Sequence, residues 1–168
     1  MRRTSFEDVN CSVAQCLEVI GDWWTMIVIR DVFMGVNRFD ELQARTGISR
    51  NVLGERLTRL VDDGVLKKVP YQEHPVRYDY RLTEKGRDLW LVLTAMRQWG
   101  DRWAAPYGPQ VELVHLGCGK HIDVVASCSH CGERIGPRDV RAVEGPGNDG
   151  SLIPQGAAAA SPDSVPVA

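Results

Sequence analysis

The chain has 168 residues, a formal charge of −2, 43% hydrophobic and 25% charged residues, which suits one domain with an appendage and a modest core. No apolar run reaches the roughly 20 residues that cross a bilayer, and the two arginines after Met1 precede no apolar stretch of the kind that makes a signal peptide. Neither a membrane protein nor an exported disulfide scaffold is expected, since the five cysteines are odd in number and unevenly spread; the expected compartment is the cytoplasm.

Residues 1–10 read as a loose arm. Cys11 to Ile20 follows as a short helix with Val13, Cys16, Leu17 and Ile20 inward, ended by Gly21. Asp22-Trp23-Trp24 then links to a second helix, Thr25 to Met34, capped by Thr25 and closed by Gly35. It is apolar nearly all round apart from Arg30 and Asp31, so it should form the buried centre. Trp23 and Trp24 are expected to pack, with ligand stacking as the alternative.

Phe39 to Arg45 reads as a short helix, Gly47 as a turn needing positive φ, and Ser49 as the N-cap of a longer helix over 49–63. Leu53, Leu57, Leu60 and Val61 recur at helical spacing on one face of it, and Gly64 stops it. The opposite face carries Asn51, Glu55, Thr58 and Arg59, with Arg50 and Arg56 on the flanks. A helix that is apolar underneath and bears amide and guanidinium groups outward suits a DNA groove, although a merely solvated face has the same composition. Two short alternating runs, Leu66–Tyr71 and Val76–Leu82, surround the turn 72–75 and read as a β-hairpin. Helix, turn, helix and hairpin together make a winged helix-turn-helix, a mainly α fold with a small β wing at 71–77. From Arg38 to Arg87 there are eleven Lys or Arg against eight Asp or Glu, a local charge of roughly +3 inside a negative chain. That balance permits DNA binding without proving it.

Thr83 should cap a long helix over 84–103, in which Leu89, Leu93, Met96 and Trp103 step by three and four with Trp90 and Trp99 beside them. This is more apolar surface than a small domain covers, so Leu89, Leu93, Met96, Trp99 and Trp103 are expected to form a dimer contact. The alternative is a helix folded back on its own core. In a two-fold dimer the recognition helices would enter successive major grooves about 34 Å apart and read an inverted repeat.

Specific residues carry a family resemblance. A cysteine opening the first helix, Gly21-Asp22-Trp23-Trp24-Thr25, Ile29-Arg30-Asp31, Gly35 and Arg38-Phe39-Asp40-Glu41-Leu42 are followed by Gly47-Ile48-Ser49, Val52-Leu53, Glu55-Arg56-Leu57, Leu60 and Asp63-Gly64. With Arg77-Tyr78, Tyr80-Arg81-Leu82-Thr83 and Gly86, the chain from about Cys11 to Trp103 resembles the HxlR-type winged helix-turn-helix regulators, relatives of the MarR group. The resemblance implies a dimeric bacterial or archaeal transcription factor, usually a repressor, over a domain spanning 11–109. Ser12, where many members have proline, and Gly54 inside the recognition helix depart from the pattern. Some members carry an oxidant-sensing thiol where Cys11 falls, which makes Cys11 a redox-sensing candidate beside the alternative of an inert buried thiol. Cys11 and Cys16 lie about 140° apart around one helix and cannot bridge.

The expected DNA contacts are Ser49 to a phosphate, Arg50 to guanine O6 and N7, and Asn51 to adenine N6 and N7. Arg56 and Arg59 are expected to hold phosphates or to pair with Glu55 or Asp63; Lys67 and Lys68 flank the first wing strand, and Arg77 at the wing base would enter the minor groove or grip its backbone. A winged helix used only for protein contacts is the second reading; an enzyme is not expected, for no nucleophile–base pair or open metal site is apparent.

Over 110–144, His115-Leu116-Gly117-Cys118-Gly119 and Cys128-Ser129-His130-Cys131-Gly132 are two ligand-x-x-ligand-glycine turns. This spacing suits a zinc-ribbon-like module holding a structural Zn²⁺ through His115, Cys118, Cys128 and Cys131, with His121 or His130 able to replace His115. After Gly145 the composition turns to Gly, Pro, Ala and Ser, so 145–168 reads as a disordered tail.

Overall fold

The computed structural model describes residues 5–150. The chain forms two compact units, Cys16–Glu112 and a smaller one made from Met1–Gln15 with Leu113–Ala168. Seven elements follow in order: α1 (Ser12–Ile20), α2 (Trp23–Phe33), α3 (Phe39–Thr46), α4 (Arg50–Asp62), β1 (Leu66–Glu73), β2 (Val76–Leu82) and α5 (Glu84–Trp103). Among the described residues no single helix is long and apolar enough to cross a membrane.

α2 is the centre of the larger unit, with Val28 and Ile29 fully enclosed and Met26 and Val32 nearly so. It starts two residues earlier than Thr25, because the Asp22 carboxylate accepts from the Trp24 amide at 3.0 Å and so takes the capping role; Thr25 is instead buried in the first turn. Asp31 is not on a wet face: its carboxylate is fully enclosed and accepts from Arg30 at 2.9 Å, with Arg45 of α3 at 3.2 Å. Burying a carboxylate is costly unless it is paired, and these two guanidinium groups also tie α3 to α2.

α3 ends at Gly47, whose φ of 72° gives the left-handed turn that the sequence anticipates and whose amide donates to the Gln43 carbonyl. Ser49 then caps α4 through the Val52 amide at 3.4 Å. Leu53, Leu57 and Leu60 face the core with Leu42, Ile48, Val65 and Leu66. Each enclosed aliphatic side chain contributes about 1.5–3 kcal/mol relative to exposure. The chain leaves α4 through the antiparallel hairpin β1–β2, in register from Leu66 opposite Leu82 to Glu73 opposite Val76, with an irregularity between Pro70 and Gln72. Thr83 caps α5 by accepting from the Gly86 amide at 3.1 Å while its hydroxyl donates to the Gly64 carbonyl at 2.6 Å.

Two expectations about apolar faces change. Only Ile20 of α1 is buried and Cys16 is partly packed, whereas Val13 and Leu17 are exposed. Trp23 is 90% exposed and does not pack in this single chain, whereas Trp24 is covered over more than half of its surface.

Among the described residues of the smaller unit, two isolated antiparallel bridges, Val114 with His121 and Ser127 with Arg134, mark two tight hairpins. No described residue of this unit is buried. Within the expected tail, 145–150 includes a turn in which the Asn148 amide donates to Gly145, and the Asn10 side chain donates to the Gly147 carbonyl. Residues 1–4 of the arm and 151–168 of the tail lie outside the described residues.

Candidate nucleic-acid interface

The stripe that buries Leu53, Leu57 and Leu60 leaves Ser49, Arg50, Asn51, Glu55 and Thr58 exposed along the outer side of α4. Asn51 has no hydrogen-bond or ion-pair partner among the described residues, so its amide is available. Arg50 is held from the side. One of its terminal nitrogens donates to Asp40 at 2.9 Å and to Gln43 at 3.1 Å, and the guanidinium lies 4.8 Å from the Phe39 ring centroid. The pair with Asp40 is wet on both sides, at 63% and 71% side-chain exposure. Such pairs are worth about 0–1 kcal/mol, so a guanine edge or a phosphate can replace the carboxylate at small cost.

Arg56 and Arg59 do not belong to that outer side. Arg56 pairs with Asp22 at 2.9 Å, and Arg59 donates to the Glu18 carboxylate at 2.7 Å and to the Glu18 carbonyl at 2.8 Å. Asp63 is a longer partner of Arg59 at 3.7 Å, and Glu55 is not the partner of either. The reason is helical spacing: positions 56 and 59 adjoin the buried 53, 57 and 60, which directs their side chains at α1 and the turn into α2. In this chain both arginines brace α4 from behind.

On the hairpin, Lys67 and Arg77 are exposed and have no acidic partner among the described residues. Lys68 lies with its ammonium 5.9 Å from the Tyr78 ring centroid. Arg77 stands opposite Gln72, one position from the turn-proximal pair Glu73–Val76, so it is near the tip of the wing and not at its base; Lys67, opposite Arg81, is the basal cation. Ion pairing elsewhere consumes most of the local positive charge, since Arg38, Arg45, Arg50, Arg56, Arg59 and Arg81 all have carboxylate partners. Of the cations in 38–87 without a carboxylate partner among the described residues, Lys67, Lys68 and Arg77 lie on the hairpin, and Lys85 and Arg87 lie in the first turn of α5, donating to backbone carbonyls.

Sequence reading missed one part of this surface. Arg38, at the N-cap of α3, stacks 4.3 Å from the Tyr71 ring centroid and reaches Asp79 at 3.5 Å, and its backbone bridges to Asp79 of β2. The partners are more than thirty positions apart in the chain, and only the hairpin register brings them together. Beside it, burial and the neighbouring Tyr78 push the Tyr80 hydroxyl above its ordinary value of 10.0, so this ring stays neutral.

On α5 the expected contact residues divide. Leu89 and Leu93 pack against the unit's own core, while Met96, Trp99 and Trp103 are exposed, the two tryptophans at 64%. The stripe with strict three-and-four spacing is partly the inward one, and the neighbouring rows point out.

Cys11 precedes the first residue of α1, its carbonyl accepting from the Gln15 amide, and is half-buried. Each C-terminal turn takes the same local form. The His115 carbonyl accepts from the Gly119 amide at 2.8 Å and the Cys128 carbonyl from the Gly132 amide at 2.9 Å, with both glycines at positive φ, 68° and 75°. His115 Nδ1 lies 3.3 Å from Cys118 Sγ. The amides of Cys131 and His130 and the Cys131 side chain lower the Cys128 thiol below its ordinary range, against a smaller effect of desolvation. The two donor pairs are formed separately: no group of three or more His, Cys, Asp or Glu side chains is gathered among the described residues.

Residues 19–107 match the HxlR-like helix-turn-helix family. An uncharacterized HTH-type transcriptional regulator of Mycobacterium tuberculosis is 44% identical over 137 residues, covering 81% of this chain and 87% of the relative. Any continuous stretch of that share takes in Cys118, Cys128 and Cys131. The crystal structure of PA1607, described as a candidate transcription factor, superposes with a TM-score of 0.74 at 39% identity, covering 84% of this chain and all of the other. The reduced form of the redox regulator HypR superposes with a TM-score of 0.51 at 32% identity, over 54% of this chain and 90% of its own.

Proposed function

The chain belongs to the HxlR-like helix-turn-helix family and is a DNA-binding transcriptional regulator; we propose that it acts as a homodimeric repressor that reads an inverted repeat. In this reading Asn51, with Arg50 beside it, meets base edges from the first turn of α4, and Ser49 approaches a phosphate. Lys67, Lys68 and Arg77 hold the sugar-phosphate backbone along the wing. The observation that supports it is a division of labour on one surface. An amide without partners among the described residues stands on the outer side of α4, and three cations without a carboxylate partner, Lys67, Lys68 and Arg77, stand on the hairpin. Base edges need directed donors and acceptors, whereas phosphates need uncompensated charge.

Two copies supply what one lacks, because single modules bury too little surface for tight specific binding. The outward Met96, Trp99 and Trp103 of α5 support a subunit contact there. Cys11 is the proposed site of an oxidant response, supported by its half-buried place at the start of α1 and by the likeness to the redox regulator HypR.

A gel shift with duplex selected from a random pool tests the reading. Arg50→Ala should cost about 1–3 kcal/mol on the selected sequence and little on random duplex, while Lys67→Ala should weaken both alike and lower the salt slope by about 1. Equal losses for both variants on both duplexes would remove the base-reading role. No shift of any duplex by the wild type would favour the protein-contact reading.

A further inference from the structure

The smaller unit poses a stability problem that its sequence does not solve with apolar packing. None of its described residues is buried, and Val111, Val114, Leu116, Val125, Val140 and Val143 near or within it are exposed. Segments of this size without a core normally hold together through disulfides or a metal. Its four cysteines, Cys11, Cys118, Cys128 and Cys131, are free thiols.

What the unit does have is two turns of one design. In each, a donor residue is followed three positions later by a second donor and then by a glycine in the left-handed region. The carbonyl of the first donor residue closes the turn on that glycine's amide. Positive φ at Gly119 and Gly132 is a conformation that L side chains rarely adopt, so both glycines are required by the turn. The geometry brings the two donors of a turn together, as His115 and Cys118 at 3.3 Å show.

We propose that these two turns are the halves of one structural metal site, and that a divalent zinc-class ion held by His115, Cys118, Cys128 and Cys131 supplies the cohesion that the unit's apolar residues do not. One nitrogen and three sulfur donors suit a borderline-soft ion in tetrahedral coordination. Four protein ligands leave no position for a reactive water. Binding would join the two turns, and the thiol protons would be released to solvent as it does.

Cobalt(II) titration of the full-length protein, reduced and freed of metal, tests this. The expected result is saturation at about one ion per chain, with the d–d bands of tetrahedral thiolate coordination, and displacement of cobalt by zinc. Cys118→Ser and Cys128→Ser should each abolish that spectrum. A fall in backbone flexibility of 113–150 on zinc addition, read by amide exchange in the wild type, keeps the test independent of how well the variants fold. Two weakly held ions, one per turn, would overturn the proposal. So would the absence of tetrahedral bands, or an unchanged spectrum in both variants.

Discussion

A methyl group at position 86 would put a carbon 2.2 Å from the Val65 carbonyl oxygen and 3.0 Å from the Leu82 side chain. Neither the backbone oxygen nor the capped start of α5 can retreat without breaking the Thr83 bonds, so Gly86→Ala should lower stability by about 1–3 kcal/mol in urea unfolding. Arg59 makes the complementary case. Removing it leaves the Glu18 carboxylate without its 2.7 Å partner, and since the guanidinium is about one-third exposed the loss should fall near 1–2 kcal/mol, between surface and buried pairs. Arg59→Met should therefore destabilise the fold and leave sequence preference unchanged, which a selection experiment on the variant would check. The sequence made both outer and inner arginines of α4 look alike. Periodicity located the buried leucines, but it could not tell a flank that faces solvent from one that meets Glu18 and Asp22. That information lies in the packing of α1, far back in the chain.

Among the elements, α4 is the proposed reading helix and also bears an apparent cost. Gly54 sits inside it, yet a Cβ there would meet nothing within 4 Å and the backbone is ordinary helix. Gly54→Ala should therefore raise stability by about 1 kcal/mol, measurable as a higher unfolding midpoint. The ends of α3, α4 and α5 were legible because Gly47, Ser49 and Thr83 are strong local signals whose bonds form within a few residues. The start of α2 was not, because Asp22 and Thr25 are both good caps and only the Asp22–Trp24 bond decides between them. The hairpin was legible as an element, whereas the Arg38–Tyr71–Asp79 cluster on it depended on a register and a bulge that alternation does not specify. The partners of Arg38, Tyr71 and Asp79, lie on two different strands, beyond the basal pairs of the wing.

Taken whole, the molecule exposes more aromatic surface than a monomer ordinarily tolerates, with Trp23 at 90% and Trp99 and Trp103 at 64%. Covering such residues with a second copy is the simplest remedy. Trp99→Glu combined with Trp103→Glu should shift sedimentation toward a monomer and weaken operator binding together, while the fold remains. An oxidant response belongs to this scale too: diamide should change DNA binding of the wild type and not of Cys11→Ser, and an unchanged response in the variant would exclude Cys11. Net charge gave little warning of the partner, because −2 over the chain hides a local positive surplus over 38–87. The measurement that bears most directly on the whole account is selection of duplexes from a random pool by the full-length protein, followed by the stoichiometry of the winning complex. The account predicts an inverted repeat whose half-sites lie about one helical turn apart, bound by two chains. A single unrepeated site bound by one chain, or no enriched sequence at all, would contradict it.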